Sequence, residues 1–199
     1  MGRRAGVTSD DMKDDLLIAA ARVFARSGFE AASVADICAE AKMSTGPVYR
    51  HFESKHGLFN AVLAHYGQDE FRRVMSSDDD SQPSIADVIE SAGRSIERQP
   101  TELSKLVIEA IAMSGRDESI GSVVRSWLER DEQQLAAEIE TAQAAGELLG
   151  EIDPATMTRM ATIISLGAHM TNALGLDQPD QDEWSSLVEQ LIGALRTPR

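Results

Sequence analysis

The sequence predicts an all-α protein in which an N-terminal three-helix domain precedes a larger helical bundle, with about nine helices in all. Three observations predict this class. Apolar residues recur three and four positions apart through most of the 199-residue chain, as on the buried face of a helix. Proline and glycine separate the later runs. No stretch bounded by turns alternates β-branched and polar residues, as a half-buried strand would.

The first helix is predicted to begin near residue 9 and to end at Gly28. Thr8 or Ser9 can cap it, and acidic residues follow in its first turn, where they favour the helix dipole. Six apolar residues supply a buried face that would support the next segment from behind. They are Leu16, Leu17, Ala20, Ala21, Val23 and Phe24.

Residues 33–52 predict two short helices joined by a tight turn, which is a helix-turn-helix. In the first helix four apolar residues have the spacing of one buried face, and Ser33 is placed to cap it. A turn follows at residues 42–43, and Ser44 can cap the second helix. The four apolar residues are Val34, Ile37, Cys38 and Ala41.

The second of these helices would bury Val48 and Phe52 against the first and expose the residues between them. The exposed set is small or hydrogen-bonding, unlike an ordinary solvated face of Glu and Lys, so it suits a DNA major groove. Pro47 loses no hydrogen bond in the first helical turn, where amide donors have no partner inside the helix. Later polar side chains can reach phosphate oxygens. The predicted DNA-contacting residues are Ser33, Thr45, Gly46, Pro47, Tyr49, Arg50, His51 and Lys55.

From Phe24 to Leu63 the chain resembles the DNA-binding domain of the TetR family of transcriptional regulators. The stretches that carry the resemblance are AARVFARSGFEAASVADICAEA, STGPVYRHF and ESKHGLFNAVL. The resemblance implies a DNA-binding domain over residues 1–54 and a helical effector-binding and dimerisation domain over residues 55–199. One departure is Lys42, which stands where the family has Gly in the turn and would need a left-handed or rearranged backbone.

A further helix is predicted from Ser54 towards Met75, where it would link the two domains. Residues 76–84, rich in Ser and Asp, indicate a solvated loop. Breaks at proline and glycine then delimit the helices of the second domain. These helices are predicted at residues 84–98, 101–114, 118–146, 154–174 and 182–196.

The last two predicted helices carry more apolar surface than a helix with one solvated side needs. Two such neighbours imply a partner surface, and two copies from each subunit would form a four-helix bundle. A two-fold dimer of this kind would place two recognition helices about one DNA turn apart, roughly 34 Å, and would bind a palindrome. The predicted interface residues are Met157, Ile164, Met170, Leu187, Leu191 and Leu195.

The helices at 101–114 and 118–146 include methionine and tryptophan among their apolar residues. Met adapts its shape and Trp offers one donor on a large apolar body, so these side chains could line a pocket for a small apolar or aromatic effector. The alternative is that they are simply core, and His169 is expected to be hydrogen-bonded core or interface. The candidate pocket residues are Leu106, Glu109, Met113, Trp127, Met160 and Ile164.

The net charge of −14 is unevenly divided along the chain. Residues 1–60 carry eight basic and eight acidic side chains, whereas the remaining residues carry 11 basic and 25 acidic ones, so the whole excess lies there. Repulsion between this acidic part and phosphate would favour approach to DNA through the neutral N-terminal domain. The other interpretation is that the charge keeps exposed helix faces soluble.

These observations favour a dimeric, ligand-responsive transcriptional regulator, a repressor that binds double-stranded DNA at a palindromic operator and is released by a small effector. One alternative is an all-α enzyme such as a metal-carboxylate bundle, but the chain holds one Glu-x-x-His, from Glu53 to His56, where such a centre needs two. Another is a helical interaction protein that has lost DNA binding through a distorted turn at Lys42. We expect no enzymatic activity, no cofactor and no metal.

Location and redox state follow from what the sequence lacks. No apolar stretch is long enough to span a membrane and no secretory signal is evident, which predicts a cytoplasmic protein. The single cysteine, Cys38, rules out an intramolecular disulfide and fits a reducing compartment. Its position on a buried helix face favours a packing role over a redox switch.

Overall fold

A computed structural model describes residues 9–75 and 101–197 of the chain. These residues form eight helices, and they include no strand, only an isolated bridge between Leu148 and Arg196. The all-α prediction is therefore confirmed. The helices are α1 (Ser9–Ala31), α2 (Val34–Glu40), α3 (Thr45–His51), α4 (Lys55–Met75), α5 (Thr101–Ser114), α6 (Glu118–Ala144), α7 (Pro154–Ala173) and α8 (Gln181–Gly193).

Most helix ends lie within a few residues of their predicted positions because caps and glycines act locally. Asp117, Asp153 and Asp180 accept backbone N–H bonds at the starts of α6, α7 and α8. The helix predicted at 84–98 and the loop predicted at 76–84 lie outside the described residues. Gly28 breaks α1 where the sequence predicts its end, with a non-helical backbone (φ 75°, ψ 162°), and a short helical piece then continues to Ala31.

One hydrophobic core joins the N-terminal helices to the start of the second domain. Phe24, Phe29 and Phe59 are each at most 1% exposed and lie in ring contact, with centroids 4.9 to 5.8 Å apart. Side chains from α5 and α6 complete the same cluster, including Leu106 and Val124. The predicted division at residue 54 is thus crossed by continuous packing, and the orientation of the helix-turn-helix depends on α5 and α6.

A second, smaller core closes the far end of the molecule. Met157 is 6% exposed and packs with Ile139, Ala142 and Leu148, and Leu195 packs against them from beyond α8. Met157 and Leu195 were predicted to lie in a dimer interface. The structure corrects this, because both side chains are used within the protomer to join α6, α7 and the C-terminal segment.

In the two described ranges no helix combines the length and the apolar character needed to cross a membrane. The same residues contain no group of three or more His, Cys, Asp or Glu side chains able to hold a metal ion. Cys38 is 4% exposed within the main core, and burial raises the pKa of its thiol. A protonated, enclosed thiol is a poor nucleophile, which supports the packing role.

Candidate nucleic-acid interface

The start of α2 is held by a capping box between Ser33 and Asp36. The Asp36 amide donates to Ser33 Oγ (3.1 Å), and the Ser33 amide donates to Asp36 Oδ2 (3.1 Å). The Ser33 hydroxyl also donates to Asp36 Oδ2 (2.5 Å), and these bonds from Ser33 hold the pKa of Asp36 below its usual value. The predicted cap at Ser33 is confirmed. Its partner Asp36 was missed, although the Ser-x-x-acid spacing carries the signal.

The turn between α2 and α3 is a regular helix C-terminal motif despite the absence of glycine. Lys42 adopts a left-handed backbone with φ 54°. The Lys42 amide donates to Ala39 O (3.2 Å) and the Met43 amide to Cys38 O (2.9 Å), the two bonds of a Schellman motif. The left-handed conformation expected of Lys42 is confirmed. Because the turn is intact, a distorted motif no longer supports the loss of DNA binding.

Helix α3 presents the predicted face to solvent. Val48 is 2% exposed and Phe52 8% exposed, which fixes the helix against the core. Ser44 occupies the N-cap position but its side chain makes no capping hydrogen bond, so that detail of the prediction is wrong. Thr45, Gly46, Tyr49 and His51 are exposed, Tyr49 by 61%. The side chains of Pro47 and Arg50 lie outside the described part of the structure.

Lys55 has a different role from the phosphate contact predicted for it. Its ammonium donates to three backbone carbonyls, Phe29 O (2.8 Å), Glu30 O (3.1 Å) and Ala32 O (3.0 Å). It also lies 4.5 Å from the centroid of the Phe29 ring. An ammonium has three donors, and all three are used here. The structure therefore corrects the prediction, and Lys55 fastens the start of α4 to the end of α1.

Replacing Lys55 with glutamine is expected to lower stability by roughly 2 kcal/mol, because three charge-assisted bonds and a cation–π contact are lost. The slope of log affinity for DNA against log salt concentration should stay unchanged, since no phosphate contact disappears. Urea unfolding and binding titrations at several salt concentrations measure the two quantities. A slope reduced by about one, with little change in stability, would restore the phosphate role.

Residues 16–62, which span most of α1 through the first part of α4, match the family model described as "Bacterial regulatory proteins, tetR family". The HTH-type transcriptional repressor Rv3405c of Mycobacterium tuberculosis is 26% identical over 199 residues, covering 98% of this chain and 95% of that protein. Residues 16–62 thus form a DNA-binding domain of the TetR family of transcriptional regulators. These matches confirm the predicted family, and they are to transcriptional regulators rather than to enzymes.

Solved structures share the fold of this chain over nearly its whole length. A TetR-family transcriptional regulator from Rhodococcus sp. has a TM-score of 0.78 at 21% identity, covering 94% of this chain and all (100%) of its own. A transcriptional regulator from Saccharomonospora viridis, crystallised in complex with choline, has a TM-score of 0.76 at 17% identity, with 96% and 100% coverage. At these identities the likeness concerns the fold.

The six candidate pocket residues lie in different environments. Leu106 is 1% exposed in the main core, and Met113 packs against the same core. Glu109 accepts a bond from the Phe29 amide (2.9 Å). Met160 and Ile164 are 51% and 42% exposed. The lining of a pocket stays a prediction, and Trp127 on α6 is its strongest candidate.

Trp127 lies beside an unusual carboxyl group, Asp131, one turn further along α6. Burial raises the pKa of Asp131 to about 6, while Arg130, with Nε 3.9 Å away, acts in the opposite direction. The Trp127 indole N–H also approaches this carboxylate closely enough to lower its pKa, but the geometry falls short of a hydrogen bond and leaves the buried Nε1 without a partner. An unpaired buried donor beside a half-buried acid is suited to a polar ligand group.

A buried polar pair joins α5 to α7. Ser104 is fully buried (0% exposed) and His169 is 3% exposed, with Ser104 Oγ 3.2 Å from His169 Nδ1. Burial lowers the pKa of His169 to about 4, so the imidazole is neutral at pH 7. The expectation that His169 is hydrogen-bonded core agrees with this environment.

Replacing Asp131 with asparagine is expected to raise the free energy of unfolding by roughly 1–2 kcal/mol above pH 6. The folded state binds the Asp131 proton more tightly than the unfolded state, so the penalty for ionisation is absent well below pH 4 and complete above pH 6. The gain should therefore vanish as the pH falls to about 4. His169 acts in the opposite sense, because the stability that its neutral form contributes is lost as the pH falls from 6.5 to about 4. The quantity to compare is therefore the difference in free energy of unfolding between the variant and the parent protein at each pH. Equal stability of both proteins at pH 8 would contradict the expectation.

Proposed function

We propose that this regulator is a dimeric repressor that inserts α3 into the major groove at each half of a palindromic operator. The observation that carries the proposal is the exposed face of α3, where small and hydrogen-bonding residues stand opposite the buried Val48 and Phe52. A helix whose N-terminal residues are Thr45 and Gly46 can approach base edges closely, and an added Cβ at Gly46 would meet nothing within 4 Å. The proposed DNA contacts are Ser33, Thr45, Gly46, Pro47, Tyr49, Arg50 and His51.

Two further facts support repression at an operator. The relative from Mycobacterium tuberculosis that aligns over almost the whole chain is named a transcriptional repressor. In addition, the acidic excess lies entirely after residue 60, so the neutral N-terminal domain is the end that phosphate repels least. A protein that binds by this end alone, and blocks the site that it occupies, acts as a repressor.

The proposed dimer interface is an apolar face shared by α7 and α8. On α7 the exposed apolar residues follow a three-and-four spacing, which places them on one side of the helix. Large exposed apolar side chains on two helices that follow each other in the chain favour a protein-protein interface. The face consists of Met160, Ile163, Ile164, Met170, Leu174, Leu187 and Leu191, which are 42% to 68% exposed in the protomer.

We propose that a small, mostly apolar effector binds among α5, α6 and α7 and releases the operator. Trp127 and Asp131 support a site there. A ligand could accept a hydrogen bond from the indole N–H of Trp127 and pair with the carboxylate of Asp131. The structural neighbour from Saccharomonospora viridis holds choline, a small cation. Release requires that the effector bind more tightly to the conformation with the wrong separation of the two α3 helices.

Two variants of α3, Tyr49→Phe and Thr45→Ala, test the DNA-binding orientation of this helix. Full-length protein first selects a duplex from a randomised pool, and anisotropy titrations then compare variants on that duplex. Tyr49→Phe should weaken binding roughly threefold to tenfold for every sequence, because one hydroxyl contact to phosphate is lost. Thr45→Ala should instead change which bases are preferred. Unchanged binding by both variants would mean that another surface contacts DNA.

A further inference from the structure

The end of α1 lies between two charged side chains that come from different parts of the chain. Glu109 on α5 accepts a hydrogen bond at Oε1 from the Phe29 amide (2.9 Å). Lys55 at the start of α4 binds the carbonyls of Phe29, Glu30 and Ala32. The Glu109 carboxylate binds a backbone N–H of this segment, and the Lys55 ammonium binds its backbone carbonyls. Both contacts are charge-assisted because one partner in each is ionised. Residues 28–32 are thus fixed from two directions.

Gly28 makes the contact with Glu109 possible. Its backbone has φ 75° and ψ 162°, a combination that is essentially confined to glycine. This kink turns the Phe29 amide out of the helical hydrogen-bond ladder and towards α5. A Cβ added at Gly28 would lie 3.4 Å from Glu109 Oε1, which is ordinary van der Waals contact, so the positive φ rather than a lack of space requires glycine here. The sequence predicts a helix end at Gly28. In the structure the break at this residue also leaves the Phe29 amide free to donate to Glu109.

The fixed segment leads directly into the DNA-binding motif. Ala32 is followed by Ser33, the cap of α2, so a shift of residues 28–32 moves the first helix of the motif. Other polar contacts between the N-terminal helices and the start of α6 begin on α4. They join His56 Nε2 to Asp117 Oδ2 (3.0 Å) and Asn60 Nδ2 to Ser119 Oγ (3.1 Å). Glu109 instead reaches the backbone of α1 from the helix that packs along it.

We propose that Glu109 is a positioning residue, which sets the orientation of the helix-turn-helix by holding the Phe29 amide. The inference rests on the proposed DNA binding and adds how that activity is controlled. A displacement of α5 either moves the Phe29 amide with Glu109 or breaks the hydrogen bond between them. Helix α2 would then shift as well, because its cap, Ser33, directly follows residues 28–32. Two motifs held at one separation bind a two-part operator better than two that sample many orientations.

The test compares Glu109→Leu with Glu109→Gln in the full-length protein. Leucine fills similar space without an acceptor, whereas glutamine keeps an oxygen for the Phe29 amide. On the duplex selected by the wild-type protein, Glu109→Leu should bind roughly tenfold more weakly, and Glu109→Gln should stay within about threefold of wild type. Ser119→Ala, which removes the acceptor of the exposed contact to Asn60, serves as the matched control and should also stay within about threefold.

Amide hydrogen exchange separates failure of this inference from failure of the proposed function. Peptides that span residues 25–33 should exchange at least about tenfold faster in Glu109→Leu and at the wild-type rate in Glu109→Gln. If the wild-type protein selects no duplex, DNA binding fails while the exchange result still decides whether Glu109 holds this segment. Unchanged exchange in Glu109→Leu, or faster exchange with unchanged or tighter DNA binding, would overturn the positioning role. Equal weakening by Ser119→Ala would overturn it as well.

Discussion

Replacing Ile163 with aspartate is expected to convert the protein to a monomer and to weaken operator binding by at least about a hundredfold. Ile163 is 63% exposed in the protomer, so the folded chain itself should tolerate a carboxylate there at little cost. In the proposed four-helix interface the same position would be buried, and an unpaired charge in an apolar interface is strongly unfavourable. A monomer also loses the effective concentration that links the two half-site contacts, which accounts for the size of the loss.

Light scattering after size exclusion measures the mass of the Ile163→Asp variant, and anisotropy measures its affinity for the selected duplex. Ile18→Asp is the matched control, because Ile18 is an apolar residue that is 37% exposed on α1, away from the proposed interface. The control should remain dimeric. A dimeric Ile163→Asp protein would show that α7 is not the interface.

Replacing Phe29 with alanine is expected to lower the free energy of unfolding by roughly 3–5 kcal/mol. The ring is 1% exposed and lies against Phe24 (5.8 Å between centroids) and Phe59 (5.0 Å), so its removal leaves a cavity in the core shared by both domains. Contacts with the His56 ring (4.7 Å) and with the Lys55 ammonium (4.5 Å) would disappear as well. This loss is a large share of the stability of an ordinary domain.

Urea unfolding at one fixed protein concentration gives the comparison, because the stability of a dimer depends on concentration. Phe29→Leu is the control, since it keeps most of the apolar volume and should cost clearly less than alanine. The backbone bonds of Phe29 to Glu109 and Lys55 are available to both variants. A loss below about 1 kcal/mol for Phe29→Ala would mean that the aromatic cluster does not support the core as described.

The parts of the fold that the sequence predicted well depend on local interactions. Ser33 caps α2 because its side chain reaches amides three residues away, and Val48 and Phe52 are buried because four residues make one helical turn. Lys42 adopts one of the two conformations expected for it, the left-handed one, and the local hydrogen bonds of the turn accompany it. Such features need no knowledge of the rest of the chain.

The errors concern side chains whose partners are distant in sequence. Glu109 meets the Phe29 amide across 80 residues, so periodicity could show only that it lies on a helix. Lys55 was predicted to be free to contact phosphate because it follows α3 directly. In the fold the end of α1 lies beside it, and its ammonium donates to the Phe29 carbonyl. In the two apolar C-terminal helices, composition could not separate Met157, which packs inside the protomer, from Ile163, which does not.

The most direct test of the central claim is selection of DNA from a randomised pool by the full-length protein, followed by sequencing and by the mass of the complex. We predict an inverted repeat bound by two protomers, with half-site centres about one helical turn apart, roughly 10 base pairs. We also predict that Thr45→Ala shifts the preferred bases within each half-site. Enrichment of sequences without two-fold symmetry, or a complex with one protomer per duplex, would contradict this claim.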